Sequence, residues 1–216
     1  MRTLTLIAAA LTLSACVADV GKDKVKADVQ DIKPETTHSD AAAPAPAPAA
    51  GTALKVDVAN SHINALGAKV TATHPIMWKG FEGQVMMDGE TFTGVSFTVD
   101  MATMEADVPK LTEHLKAPDF FDVAAHPTAT FKSTEVKAGS DKGEGYTHTV
   151  VGEFMVHGMT KQLTFPAKVA ITPEAVKAET EFVIDRTWFG VTYAGRADDL
   201  IQNNVKMNID LSAPRG

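Results

Sequence analysis

The chain has 216 residues with 27 acidic and 20 basic side chains, a formal net charge of −7 and 44% hydrophobic residues. No run of Lys and Arg supplies the footprint of a nucleic-acid binder, and Cys16, the one cysteine, leaves no intramolecular disulfide to form. Beyond the first 15 residues, no stretch is long and apolar enough to span a bilayer.

Met1-Arg2 and the apolar run from Leu4 to Leu13 have the make-up of a targeting leader, too short to cross a bilayer as a mature helix. Leu13-Ser14-Ala15-Cys16 resembles the bacterial lipobox. Residues 1–15 are therefore expected to be a lipoprotein signal peptide, with Cys16 the lipidated first residue of the mature chain. Several acyl chains hold a protein far more firmly than one. Val17 follows where Asp would signal inner-membrane retention, so the expected location is the periplasmic face of the outer membrane. Residues 16–52 read as a tether. Its charged first part allows a helix over Val20–Ile32, with no core in sight for it to pack on. Its second part, AAAPAPAPAA at Ala41–Ala50, cannot continue a helix or donate regularly to a sheet, so it should be an extended spacer.

The rest, residues 53–216, is one domain's worth of chain. Its period is that of strands. Leu54–Val58 alternates; Ile63–Thr73 alternates loosely until His74-Pro75 ends it; Trp78–Asp88 follows, closed by the hairpin signal Asp88-Gly89. Phe92–Met101 carries Val95, Phe97 and Val99 on one face. Asp107–Lys116 is a short helix. Then comes His114–Phe131, HLKAPDFFDVAAHPTATF, around which the domain is organised. Pro118 and Pro127 bracket it, and Phe120 and Phe121 stand side by side. Neighbours on a strand point to opposite faces, so an irregular segment is needed to send both inward as a lid over a hollow interior. Further strands are expected at Thr128–Val136, Tyr146–His157, Lys161–Thr172, Val176–Arg186 and Asn204–Leu211, with Pro166 at an edge or bulge and an apolar loop at Trp188-Phe189-Gly190. That makes eight or nine strands joined mostly by short hairpins, with one helical excursion: an all-β class in which antiparallel strands of this number either sandwich or close into a barrel.

These blocks resemble the YceI-like family, periplasmic proteins that bind polyisoprenoid lipids. HLKAPDFFDVAAHPTATF is similar to that family's most specific block, and VVGEFMVHGMTKQLTFPAKV at Val150–Val169 and IDRTWFGVTY at Ile184–Tyr193 are similar to two others. The resemblance runs from about Val56 to Leu211. It implies a lipocalin-like, eight-stranded antiparallel β-barrel with one short helix and a lid loop over one end, a long apolar tunnel, an isoprenoid tail inside it and the polar head near the mouth. The ligand would be a polyprenyl or quinone-type lipid, bound for carriage or storage. The alternative is a non-enzymatic envelope-stress or interaction module: a filled barrel shown to a protein partner.

Ten Phe against two Tyr supply aromatic bulk without hydroxyls, which suits a hydrocarbon ligand as well as a filled core. Phe81, Phe97, Phe131, Phe154, Phe165 and Phe182 are the candidate wall; Trp78, Phe120, Phe121, Trp188 and Phe189 are the candidate mouth or lid. Arg186 either forks onto a phosphate head group or pairs with Asp185, Asp119 or Asp122, and the ion pair is favoured. Seven His show no metal-ligand spacing, and no nucleophile motif accompanies Ser61-His62 or the carboxylates, so neither a metal site nor catalysis is expected. No cofactor is expected beyond the bound isoprenoid or quinone. The expected partners are that lipid, the membrane through Cys16, and a second copy in a homodimer.

Overall fold

The computed structural model describes residues 17, 19–32 and 51–215. The expected leader, Cys16 and the Ala41–Ala50 spacer lie outside them. Among the described residues the chain is an antiparallel sheet curled round an interior, with one α-helix over one end. Three hairpins set the frame. β3 (His62–Ala68) turns into β4 (Thr73–Trp78); β5 (Phe81–Asp88) turns into β6 (Thr91–Asp100) at Gly89; and β9 (His148–Val156) turns into β10 (Met159–Ile171) at His157-Gly158. Both residues of that last turn have positive φ, 53° and 71°, the conformation a two-residue hairpin loop requires.

The remaining strands are β1 (Asp28–Asp31), β2 (Thr52–Lys55), β7 (Met104–Ala106), β8 (Thr128–Ala138), β11 (Ala175–Asp185), a small hairpin of β12 (Gly195–Arg196) with β13 (Asp199–Leu200), and β14 (Asn204–Pro214). Twelve of the fourteen form one sheet in the order β2-β5-β6-β8-β9-β10-β11-β14-β3-β4-β7, with β1 on β10. β4 and β5 are two halves of one bent strand broken at Lys79-Gly80, and β6 and β7 are likewise broken by a 3-10 turn at Met101–Thr103. Because β4 pairs with β7 while β6 pairs with β8, the ladder returns on itself through the bends. Counted as bent strands, the ring holds the expected eight; the surplus comes from the two breaks and from β1 and β2.

Two expectations about the chain ends and prolines are corrected. His74-Pro75 does not end a strand: Pro75 lies inside β4 opposite Leu66, at a position β7 does not reach, so its missing N–H is not required on that side. Nor is there a helix over Val20–Ile32. Ala27 is 4% exposed, its amide donates to the Val183 carbonyl (2.9 Å), and the Val183 amide donates to the Val25 carbonyl (2.8 Å). β1 pairs residue by residue with Lys161–Thr164 of β10. β10 meets β11 only at Lys168–Ile171, so the two strands part beyond Pro166, and residues 25–31 fill the split. This part of the expected tether is barrel wall.

Candidate functional site

The inward residues of the ring enclose a cavity of about 630 Å³. Its wall follows the two-residue period of strands: Ile63, Ala65 and Gly67 from β3, Phe97 and Val99 from β6, Phe182 and Ile184 from β11, Val205, Met207 and Ile209 from β14. A filled barrel would leave no such space. α1 (Pro109–Lys116) contributes Leu111, His114 and Leu115 to the open end.

The Phe pair is held where an irregular segment can hold it. Phe121 donates its amide to the Leu115 carbonyl, Phe120 and Asp122 donate to the Ala117 carbonyl, and Val123 donates to the Lys116 carbonyl. Those bonds satisfy the last carbonyls of α1, which a helix leaves free, and fold the loop back under the helix. Both rings thus reach the cavity, 5.3 Å apart between centroids. The His114 imidazole stands edge-on to Tyr193 at 4.8 Å and to Phe120 at 5.8 Å, and its Nε2 lies 2.9 Å from an Asp119 carboxylate oxygen. The lid is therefore an aromatic cluster joining α1 to the 191–203 segment.

Ten of the twelve residues proposed from sequence lie on the cavity wall: Trp78, Phe97, Phe120, Phe121, Phe131, Phe154, Phe165, Phe182, Arg186 and Phe189. Two do not. Phe81 follows the break at Lys79-Gly80 and packs on the core outside the cavity. Trp188 sits in the 3-10 turn Arg186–Phe189, which buries Phe189 inside and leaves Trp188 half-exposed. Trp78 Nε1 is buried without a hydrogen-bond partner among the described residues.

Arg186 makes none of the carboxylate hydrogen bonds expected of it. It is 6% exposed; Nε donates to the Gln202 carbonyl (3.1 Å), one terminal nitrogen to the Val191 carbonyl (2.6 Å), the other to the Ile201 carbonyl and to Asn203 Oδ1 (3.4 and 3.3 Å). Burial pushes its pKa down, and the nearby Asp185 charge opposes that. Arg186 is the clamp of the rim loop, and neutral carbonyl oxygens satisfy its donors.

Polar groups concentrate at that rim. Lys69 pairs with Asp199, linking the β3–β4 turn to the β12–β13 hairpin, and His74 Nδ1 lies 3.0 Å from Asp107. Val70, Val108 and Leu200 stand 41%, 43% and 49% exposed beside them. Val17 enters the fold here, its amide donating to the Val70 carbonyl at 3.1 Å. Tyr193 and the 195–200 hairpin have no apolar period and were not anticipated from sequence; Ile63, Met207 and Ile209 were visible only as alternating apolar positions.

A model of the YceI-like domain matches residues 54–213. A UPF0312 protein of Pseudomonas aeruginosa (strain LESB58) is 32% identical over 91 residues, 41% of this chain and 45% of the relative. One from Vibrio cholerae serotype O1 is 33% identical over 90 residues, 41% and 46% of the two chains. The chain thus spans about half the length of the curated relatives it matches. Among solved structures, Burkholderia cenocepacia BcnA superposes with a TM-score of 0.65 at 24% identity, over 73% of this chain and 99% of that one. A polyisoprenoid binding domain from Saccharophagus degradans, implicated in plant cell wall breakdown, gives 0.59 at 12% identity, over 74% and 97%.

Proposed function

Since the chain belongs to the YceI-like domain family through residues 54–213, we propose that it is a lipid-binding protein whose cavity holds the hydrocarbon tail of an amphiphilic isoprenoid, of polyprenyl or quinone type, for carriage or storage. The observation that carries the proposal is the cavity itself: about 630 Å³, walled by aliphatic and aromatic side chains, with its charged residues gathered at the mouth. Burying a methylene is worth about 0.8 kcal/mol, so a five-carbon unit offers about 4 kcal/mol before ordering costs, and a few units retain a ligand without strong polar contacts. The polyisoprenoid binding of the Saccharophagus degradans domain supports the same ligand class for this fold.

The rim, where Lys69, His74 and Asp199 lie on the cavity lining, is the place we assign to the head group. We place the protein in the periplasm, held through lipid on Cys16 to the outer membrane. Because the residue after Cys16 meets the fold at Val70, such an anchor would hold the mouth, with Val70, Val108 and Leu200 exposed around it, close to the bilayer from which lipid is drawn. The test is organic extraction of protein purified gently from bacterial envelope. An isoprenoid recovered near one per chain is expected; only bulk phospholipid in the extract would refute the ligand class. Metabolic palmitate labelling that is lost in Cys16→Ser tests the anchor separately.

A further inference from the structure

Below the main cavity lies a second void of about 20 Å³, lined by Phe92, Val95, Val150, Ala167 and Leu211 among others. Phe97, Phe131, Phe165 and Ile209 line both spaces, so their side chains are the partition. Three of them belong to a row of inward rings carried by β6, β8, β10 and β11. Phe97 and Phe131 stack with centroids 5.4 Å apart, Phe131 and Phe165 tilt together at 5.3 Å, and Phe165 and Phe182 stack at 4.4 Å, nearly parallel. All four rings are buried, between 2% and 7% exposed.

What lies beneath the partition is a hydrocarbon wall. Thr180 is the one hydroxyl on that wall, and it already donates to the Pro166 carbonyl at 2.6 Å. Ala167 and Ala178 keep the wall thin there. A tail meeting the rings stops because of bulk alone: no polarity change marks the end of the chamber. Interiors are packed so closely that one methylene is felt, so a row of rings at the base of a tunnel discriminates by length.

We propose that the Phe97–Phe131–Phe165–Phe182 row is the floor that sets the maximum tail length of the bound lipid, with Phe165 its central plate. This rests on the proposed lipid-binding function and adds to it the residue that fixes chain-length preference. Removing the Phe165 ring joins the lower void to the chamber and should shift preference toward longer tails. The size of the shift should be roughly tenfold or more in relative retention, the worth of about two further buried methylenes.

The experiment is competitive retention of a homologous series of all-trans prenyl alcohols by the delipidated protein, its Phe165→Ala and Phe165→Leu variants, and Trp188→Ala, a change off the cavity wall. Circular dichroism and thermal melts establish which variants are folded; Phe165→Leu keeps enough bulk to serve if Phe165→Ala does not fold. A longer optimum in a Phe165 variant, with Trp188→Ala unmoved, supports the floor. An optimum that stays fixed in the folded Phe165 variants overturns the floor and leaves lipid binding intact. No retention of any length by the unsubstituted protein overturns both.

Discussion

Gly152 of β9 lies so close to Phe131 of β8 that a Cβ built on it would stand 2.4 Å from the Phe131 ring and 2.6 Å from the Lys132 carbonyl oxygen. A side chain is missing on one strand so that a ring on the next can fill the interior. Gly152→Ala is expected to push Phe131 off its rotamer and lower stability by about 1–3 kcal/mol, the usual cost of overpacking a core. Chemical denaturation reads this directly. Phe131→Leu in the same chain should recover part of the loss and not all, because the backbone oxygen cannot move aside.

Trp78 Nε1 predicts an effect on stability that is separate from binding. A buried donor left without a partner costs about 1–3 kcal/mol, so Trp78→Phe should raise the melting temperature of the lipid-free protein. The indole nitrogen is shut off from the cavity space, so the same change should leave retention of a quinone or polyprenol near its original value. A stability gain with weakened retention would show that a ligand oxygen reaches the indole.

The two aromatic loop residues that look alike in sequence separate in space. Phe121→Asp puts a carboxylate on the cavity wall, where desolvation penalises it, and should cut retention of prenyl alcohols at least about tenfold, close to 1.4 kcal/mol. Trp188→Asp, off the wall, should leave retention near its original value. Equal losses in both would mean that the 186–189 turn governs binding as much as the lid does.

Acid should loosen the N-terminal strand. Glu181 lies 2.8 Å from the Lys24 ammonium and 2.9 Å from that of Lys206, and chiefly the Lys24 bond holds its carboxyl below the ordinary value of 4.5. Asp19 is held down in the same way by the Gly21 amide and then Asn204. A carboxylate whose folded pKa lies below its unfolded one stabilises fully above the unfolded value and loses that contribution as pH falls through the folded one. Docking of residues 19–31 should therefore be constant from about pH 7 to 5 and fade below about pH 4. Hydrogen exchange at the Ala27 amide measures it, and Glu181→Gln should speed that exchange at neutral pH.

How much of this was legible follows from where each signal lives. The inward faces of β6, β8, β10 and β11 were readable because burial on one side writes a two-residue period. The lid was readable because Phe120-Phe121 between two prolines has no regular solution. β1 was not readable: Asp28-Val29-Gln30-Asp31 carries two residues disfavoured in strands, and only the long-range split between β10 and β11 recruits it. The partners of Arg186 escaped for another reason. Backbone carbonyls of Val191, Ile201 and Gln202 have no side-chain signature, so a lone Arg beside Asp185 looked like an ion pair. β4 and β7, the short pieces on the far sides of the bends at Lys79-Gly80 and Met101–Thr103, hold too few residues to write an alternation, so they were not read as strands.

Native mass spectrometry of residues 17–216, secreted behind a cleavable leader and purified from the bacterial envelope without detergent stripping, tests the central claim most directly. That span keeps the strand at residues 28–31, which a chain begun at Ala53 would lose. A single added mass per chain, released by organic solvent and fragmenting as an isoprenoid, is the predicted result. A bare mass that stays bare after incubation with quinones and polyprenyl phosphates would contradict it, and the cavity would need another occupant.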